Sequence, residues 1–261
     1  MAELETKTFW DHLDDLRKTL IRVVAVYFVL SLALFFFKEF LFDGIVLAPS
    51  NKDFFFYRLA HIDFNLSLIN IEVVSQFMIH MKVTLISAFI VMIPYIIYEI
   101  WLFIAPALYV NEKRAIGGAF LFASVLFYLG LAVGYFIIFP VMLSFFVNYQ
   151  VSAVVPNMFS LSSYMSLLTS TVLMFGLIFE FPSVVAVLSA LGVVSRQMLR
   201  KYRRHAICGV VILAALITPS GDPFSLFVVC VPLYLLYEFS ILICRKQADN
   251  EVNIDEGEDA G

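Results

Sequence analysis

Charged residues are scarce in this chain. Only 15% of its 261 residues are charged and 62% are hydrophobic, whereas soluble domains carry about 25% charged residues. The mean hydropathy is +0.92. A soluble fold of this length could not bury so much apolar surface, so the composition excludes an ordinary soluble protein.

Cysteines and catalytic motifs are scarce too. The three cysteines, Cys208, Cys230 and Cys244, form no CxxC motif or Cys/His cluster, so we expect buried apolar thiols rather than disulfides or a zinc site. The sequence contains no HExxH, GxSxG, Walker-type or Rossmann-type motif, and it shows no fixed-period repeat. These absences argue against an enzyme and predict one bundle domain that needs no cofactor.

What the chain has is a series of long apolar runs. A bilayer core needs about 20 mostly apolar residues per helix. Candidate spans cover residues 22–40, 77–104, 116–140, 164–190, 206–219 and 223–243. The fifth span is short. The segment 219–223, which contains two prolines and one glycine, predicts a tight turn before the sixth span. The expected fold is therefore all-α: a polytopic membrane domain, residues 22–245, with six transmembrane helices and a shallow final hairpin.

The basic residues orient these spans, because Lys and Arg concentrate in cytoplasmic loops. With the N-terminus inside, only Lys52 and Arg58 fall in the outer loops. Thirteen fall on the inner side: Lys7, Arg17, Lys18, Arg22, Lys113, Arg114, Arg196, Arg200, Lys201, Arg203, Arg204, Arg245 and Lys246. Both termini are predicted to be cytoplasmic.

The two ends of the chain differ from the spans. Residues 1–21 place Leu13, Leu16 and Leu20 on one helical stripe, which predicts an amphipathic helix at the membrane surface. By themselves its carboxylates are typical of a solvated face, with Asp14 and Lys18 paired at i, i+4. Residues 246–261 form an acidic polar tail that we expect to be disordered.

One carboxylate lies deep within an apolar run. Glu180 follows Phe179 in the fourth span, two residues before Pro182. An acid at mid-helix costs roughly 2.5–3.5 kcal/mol on insertion scales, so such residues usually face the bundle interior and serve a function. The alternative is a structural polar residue bonded to a neighbouring helix. Glu99, nearer the inner interface, leaves the same two alternatives open.

Several of these segments together resemble one family. Residues 11–18 read DHLDDLRK, and residues 103–114 read FIAPALYVNEKR. Residues 127–130, 175–182 and 232–238, with Thr218, Pro219 and Asp222, fall in the same family's order. The pattern, over about residues 9–245, resembles TatC, the core subunit of the twin-arginine protein translocase.

This resemblance implies a function. TatC proteins have six spans with both termini inside, and they recognise the twin-arginine signal peptides of folded exported proteins. The chain would then lie in the bacterial cytoplasmic membrane, where TatA- and TatB-type single-span proteins dock on its fifth and sixth spans. Transport would use the proton-motive force without ATP. The implied partners also include lipid and further copies of the chain, but no nucleic acid.

The resemblance also implies site residues. By this resemblance, Asp15 and Glu112 bind the arginine pair, and Phe103 lies beside the signal site. Asp14 and Arg17 belong to the same motif as Asp15, residues 11–18. Acids suit this role because a carboxylate can engage the planar guanidinium through two hydrogen bonds.

Further residues implied are Glu180 in the membrane and the positions Pro49, Pro106, Pro140 and Asp222 at turns.

This chain departs from the family pattern at several positions. Asp15 stands where the family motif carries Glu, so Asp11 or Asp14 could share its role. Glu99 stands where the family commonly has glutamine. Gln76 stands where proline is common, and Leu226 stands where glutamine is common. The rival function is a proton- or ion-coupled solute transporter in which Glu180 relays the proton or ion. Such a transporter is expected to have several intramembrane ionisable residues.

Overall fold

The computed structural model describes residues 9–62, 66–105, 110–152, 154, 157–218 and 221–244, apart from the side chains of residues 9, 11–12, 110–116 and 119. Pro106 and the predicted acidic tail lie outside the described residues.

Helices make up most of this chain. The α-helices are α1 (Phe9–Phe36), α2 (Phe55–Ala60), α3 (Ser75–Ile104), α4 (Val110–Val133), α5 (Phe139–Asn148), α6 (Leu161–Ile178), α7 (Phe181–Ala190), α8 (Arg196–Lys201), α9 (Arg203–Ile217) and α10 (Pro223–Ile243). Two π-helical turns cover Phe40–Val46 and Gly134–Ile138, and a 3₁₀ turn covers Ala48–Ser50. Two short strands, β1 (Leu68–Ile69) and β2 (Phe159–Ser160), pair in parallel, a small exception to the all-α prediction.

Five helical stretches among the described residues are long and apolar enough to span a bilayer: Leu13–Phe36, Ser75–Ile104, Phe120–Asn148, Leu161–Ala190 and Pro223–Ile243. The fifth predicted span, residues 206–219, corresponds to α9, whose 15 residues extend only about 22 Å at 1.5 Å per residue. The first helix runs without a break across the expected boundary at residue 21, so the amphipathic segment and the first span share one helix.

The fourth stretch is interrupted beside its carboxylate. Helix α6 ends at Ile178 and α7 begins at Phe181, with Glu180 at the N-cap position of α7. Pro182 lies in the first turn of α7, where its missing N–H costs no helical hydrogen bond. The backbone break therefore leaves Glu180 between two helical segments.

Two glycines allow α4 and α6 to pack closely. A Cβ on Gly130 would lie 2.5 Å from the carbonyl oxygen of Phe175, and one on Gly176 would lie 2.9 Å from Leu131. Phe127 and Phe175 beside them are fully buried. Any larger residue at these glycines must push the two helices apart.

Three tyrosines close the end of the bundle opposite the start of α1, which we call the far end. The hydroxyls of Tyr135, Tyr164 and Tyr57 donate to the backbone carbonyls of Ile45 (2.5 Å), Val46 (2.8 Å) and Pro49 (3.0 Å). Burial raises the pKa of Tyr57 above its ordinary value, because the ionised phenol would lose its hydration. The bonds from Tyr135 and Tyr164 hold the segment between α1 and α2 against the π-helical turn Gly134–Ile138 and α6.

The last two helices form a hairpin. Gly221 has a φ of +59°, a left-handed conformation that glycine adopts without strain. Asp222 then caps α10, accepting a hydrogen bond from the backbone N–H of Ser225 at 2.8 Å. Cys244, at the end of α10, is buried as expected, but Cys208 is exposed on α9. The expectation of a buried thiol is wrong at Cys208, because it lies on a face of α9 that its neighbours leave uncovered.

Candidate functional site

Helices α1 and α3 lie antiparallel, which brings most of the predicted binding residues to one end. Contacts between the two helices pair later residues of α1 with earlier residues of α3: Arg22 with Glu99, Tyr27 with Leu85 and Phe35 with His80. The start of α1 therefore lies beside the end of α3, at what we call the N-terminal end of the bundle.

Asp15 lies on α1 at this end and is half-buried, whereas Asp14 and Arg17 are exposed. Arg22 follows Asp15 by seven residues, which is two helical turns or about 10.5 Å along the same stripe. The half-buried position separates Asp15 from its exposed neighbours and favours it over Asp14 as the acid that faces the bundle.

Phe103 and Glu112 approach the same end from the other side. Phe103 lies in the last turn of α3, and Glu112 lies in the first turn of α4, although its side chain is outside the described part. The Trp101 and Phe120 rings lie 5.4 Å apart, and a Cβ on Gly117 would lie 3.2 Å from Trp101. The close packing of α3 on α4 therefore places the first turn of α4 next to the end of α3.

The sequence did not predict the environment of Glu99. Its Oε1 lies 3.3 Å from a terminal nitrogen of Arg22 and accepts a hydrogen bond of 2.8 Å from the Tyr95 hydroxyl. The Glu99 side chain is only 4% exposed and that of Arg22 is 58% exposed. The signal available in the sequence was an acid in an apolar helix with a tyrosine four residues earlier, but nothing pointed to its partner on α1.

Glu180 separates two apolar cavities. One, of about 380 Å³, lies against α3 and α4 and is lined by Ile96, Phe127 and other apolar residues. The other, of about 500 Å³, lies against α9 and α10, with Leu213 and Tyr237 in its wall. Glu180 lines both, so it forms part of the wall between the two cavities.

Only one oxygen of the Glu180 carboxylate has a hydrogen-bond partner among the described residues. Its Oε2 accepts a hydrogen bond of 2.6 Å from the Ser183 hydroxyl, while Oε1 is buried with no hydrogen-bond partner among the described residues. An unsatisfied buried oxygen costs about 1–3 kcal/mol, more for a charged group. A site with this cost suits a residue that acquires a partner in another state.

The residues predicted at turns have structural contacts. Pro49 is fully buried, and its carbonyl accepts from Tyr57. Pro140 lies inside a continuous helical stretch, where a π-helical turn passes into α5, and not in a loop. Within the described part of the chain, no three His, Cys, Asp or Glu side chains are grouped so that they could hold a metal ion.

The family model for the Sec-independent protein translocase protein (TatC) matches residues 11–232. The chain belongs to the TatC family. The predicted resemblance is thus confirmed, and with it a role in protein transport. With its apolar helices, the chain is a multi-pass membrane protein.

Individual relatives cover nearly the whole of this TatC-family chain. A TatC protein of a Blattabacterium species is 38% identical over 250 residues, which are 90% of this chain and 94% of the relative. The Escherichia coli K12 protein is 31% identical and covers 94% of this chain and 91% of its own length. A crystal structure of the twin-arginine translocase receptor TatC in DDM superposes with a TM-score of 0.75 at 32% identity, over 90% of this chain and 99% of that one.

Proposed function

We propose that this TatC-family chain recognises twin-arginine signal peptides and exports folded proteins across the bacterial cytoplasmic membrane. It would do so with TatA- and TatB-type partners and the proton-motive force. The observation that carries the proposal is the convergence of Asp15, Phe103 and the first turn of α4, which contains Glu112, at the N-terminal end.

In this proposal the chain has six spans and both termini are cytoplasmic. Thirteen basic residues then fall on the inner side and two on the outer, as expected from the distribution of Lys and Arg in membrane proteins. Helix α9 would be the short fifth span, and locally thinned lipid would accommodate its length. The N-terminal end is then the cytoplasmic face, where a signal peptide arrives.

Recognition would begin with charge. Each guanidinium of the arginine pair would bind one carboxylate, Asp15 or Glu112, through two parallel hydrogen bonds that lysine cannot reproduce. Phe103 would contact the apolar part of the signal beside the arginines. Two acids on different helices, α1 and α4, make the match depend on the spacing of consecutive arginines.

The apolar part of the signal would then move towards Glu180. The two cavities beside Glu180 are lined by apolar side chains, which suit a hydrophobic segment. The partner helices would dock on the α9–α10 hairpin, where apolar side chains are exposed: Ile212, Leu216, Phe227, Leu235 and Leu242.

Export of a folded reporter tests this function directly. In a strain that depends on this chain, we expect a reporter behind an Arg-Arg signal to be exported and the same reporter behind Lys-Lys to stay inside. Glu112→Gln should abolish most export if the pair is buried in the complex, because removal of one partner of a buried charge pair costs about 2–5 kcal/mol. Normal export by this variant would remove Glu112 from the site.

The role of Glu180 needs its own variants. Glu180→Gln keeps the shape of the side chain and Glu180→Ala removes it, and we expect both to impair export while leaving signal binding at the cytoplasmic face intact. Full export with both variants would make Glu180 structural.

A further inference from the structure

The Arg22–Glu99 pair lies one to two helical turns further from the N-terminal end of the bundle than the proposed binding site. Glu99 precedes Phe103 by four residues on α3, one helical turn on the same face. Arg22 lies two turns below Asp15 on α1. The pair is therefore continuous with the surface that the signal peptide would meet.

The contact between Arg22 and Glu99 is incomplete. Arg22 and the Tyr95 hydroxyl both contact Oε1, and the Arg22 distance of 3.3 Å exceeds the usual 2.7–2.9 Å of a charge-assisted bond. The other oxygen, Oε2, is buried and has no hydrogen-bond partner among the described residues. Glu99 could therefore accept two hydrogen bonds from a guanidinium, of which Arg22 supplies at most one.

Arg22 also shows that an arginine can reach this acid from the surface of the protein. Its side chain is 58% exposed although the Glu99 side chain is 4% exposed. A long flexible side chain thus extends from the surface of the protein to a buried carboxylate. An incoming arginine has the same length and the same head group, so it could take the same route once Arg22 moves away.

We propose that Glu99 is a further guanidinium-binding residue for the signal peptide, and that Arg22 occupies it until a signal arginine displaces it. This inference rests on the proposed recognition of twin arginines. Arg22 would act as an internal competitor that keeps the buried carboxylate paired in the free protein. A bidentate signal arginine would replace it by engaging the unused Oε2.

A second pair in the chain provides a matched control. Glu238 on α10 also binds an arginine, Arg203 at 2.6 Å, and a tyrosine four residues earlier, Tyr234 at 3.0 Å. Here the two partners use different oxygens, and the Glu238 side chain is 31% exposed. Both oxygens of Glu238 are therefore occupied, and we expect it to take no further guanidinium.

The test is binding of labelled signal peptides to the full chain in lipid nanodiscs. Four peptides differ only at the arginine pair: Arg-Arg, Lys-Arg, Arg-Lys and Lys-Lys. We expect Glu99→Gln to weaken Arg-Arg binding about tenfold and to lower the preference for arginine at one of the two positions, where Asp15 or Glu112 also binds. Glu238→Gln should change neither quantity by more than about twofold.

Arg22→Gln tests the competition. Removal of the competitor should tighten Arg-Arg binding severalfold, and the double variant Arg22→Gln/Glu99→Gln should bind like Glu99→Gln alone. A purely structural pair predicts the opposite: both single variants lower the thermal unfolding midpoint and leave the arginine preference unchanged at both positions. If Arg22→Gln does not fold, Arg22→Lys replaces it, because lysine keeps the positive charge but lacks the planar guanidinium. Arg22→Lys should also tighten Arg-Arg binding.

The outcomes separate this inference from the proposed function. If the unmodified chain binds all four peptides equally, recognition of twin arginines itself is wrong. If it prefers arginine and Glu99→Gln keeps that preference at both positions, the role of Glu99 is wrong while the proposed function stands. Glutamine keeps the shape of the glutamate side chain, so Glu99→Gln is expected to fold.

Discussion

The two ends of the bundle are held by different chemistry. At the far end, the hydroxyls of Tyr57, Tyr135 and Tyr164 donate to backbone carbonyls of the segment between α1 and α2. At the N-terminal end, carboxylates on α3 and α10 meet arginines on α1 and α9. The bonds from Tyr57 and Tyr164 are buried and therefore costly to break, whereas each ion pair has an exposed arginine that can exchange for another partner. We therefore expect the far end to stabilise the fold and the N-terminal end to carry the proposed signal binding.

The largest effect on stability should follow from the far end. Tyr57→Phe and Tyr164→Phe each leave a buried carbonyl without its donor, which should lower the free energy of unfolding by about 2 kcal/mol per variant. Denaturation of the purified chain in detergent measures this. Tyr27→Phe is the control, since its hydroxyl bond to Leu85 is exposed and its loss should cost less. An equal loss in all three variants would contradict the distinction.

The packing between the two ends should be nearly as sensitive. Gly130→Ala forces a Cβ against Phe175 and Phe179, and such overpacking costs about 1–3 kcal/mol. Gly118→Ala is the matched control on the same helix, because a Cβ there meets no atom within 4 Å. That substitution should be neutral or slightly stabilising, since alanine favours the helix by about 0.5–1 kcal/mol over glycine. Equal unfolding midpoints for the two variants would show that α4 and α6 are less closely packed than described.

A smaller effect is expected at the cap of α10. Asp222→Ala removes the hydrogen bond to the Ser225 N–H, which should cost about 1 kcal/mol. Asp222→Asn retains an oxygen acceptor and should recover most of that stability. If the asparagine variant is as unstable as the alanine variant, the carboxylate has a role besides the cap.

The smallest effect should come from pH. Because burial raises the pKa of Tyr57 above its ordinary value of 10.0, the folded state favours the neutral phenol. Its contribution to stability is therefore complete below pH 10 and is lost as the pH rises above that value. Tyr57→Phe should flatten this alkaline loss, which unfolding midpoints measured between pH 8 and pH 11 would reveal. An unchanged alkaline profile would mean that another group titrates.

The apolar spans could be predicted from the sequence because their signal is local. About 20 consecutive apolar residues are visible in the sequence, and the ranges 77–104 and 223–243 agree closely with Ser75–Ile104 and Pro223–Ile243. The break before Phe181 also has a local signal, because Pro182 is expected to loosen the helix there. The unbroken passage of α1 through residue 21 depends on how helices pack, so periodicity alone does not reveal it.

The candidate site could be predicted in part. The antiparallel order of α1 and α3 follows from spans joined in sequence, so Asp15 and Phe103 were expected at the same face. The contact between Arg22 and Glu99 was not expected, because it joins residues far apart in the chain and depends on the rotation of each helix about its axis. No local pattern encodes that rotation.

The most direct test of the account is the binding of Arg-Arg and Lys-Lys signal peptides to the purified chain in nanodiscs, compared with the double variant Asp15→Asn/Glu112→Gln. The account predicts that the unmodified chain binds the Arg-Arg peptide at least about tenfold more tightly, a difference of about 1.4 kcal/mol. The double variant should bind both peptides weakly and lose most of the preference for arginine, because only Glu99 then remains to bind a guanidinium. An unmodified chain that binds both peptides equally, or a double variant with the full preference of the unmodified chain, would contradict the assignment of the N-terminal end as the signal-binding face.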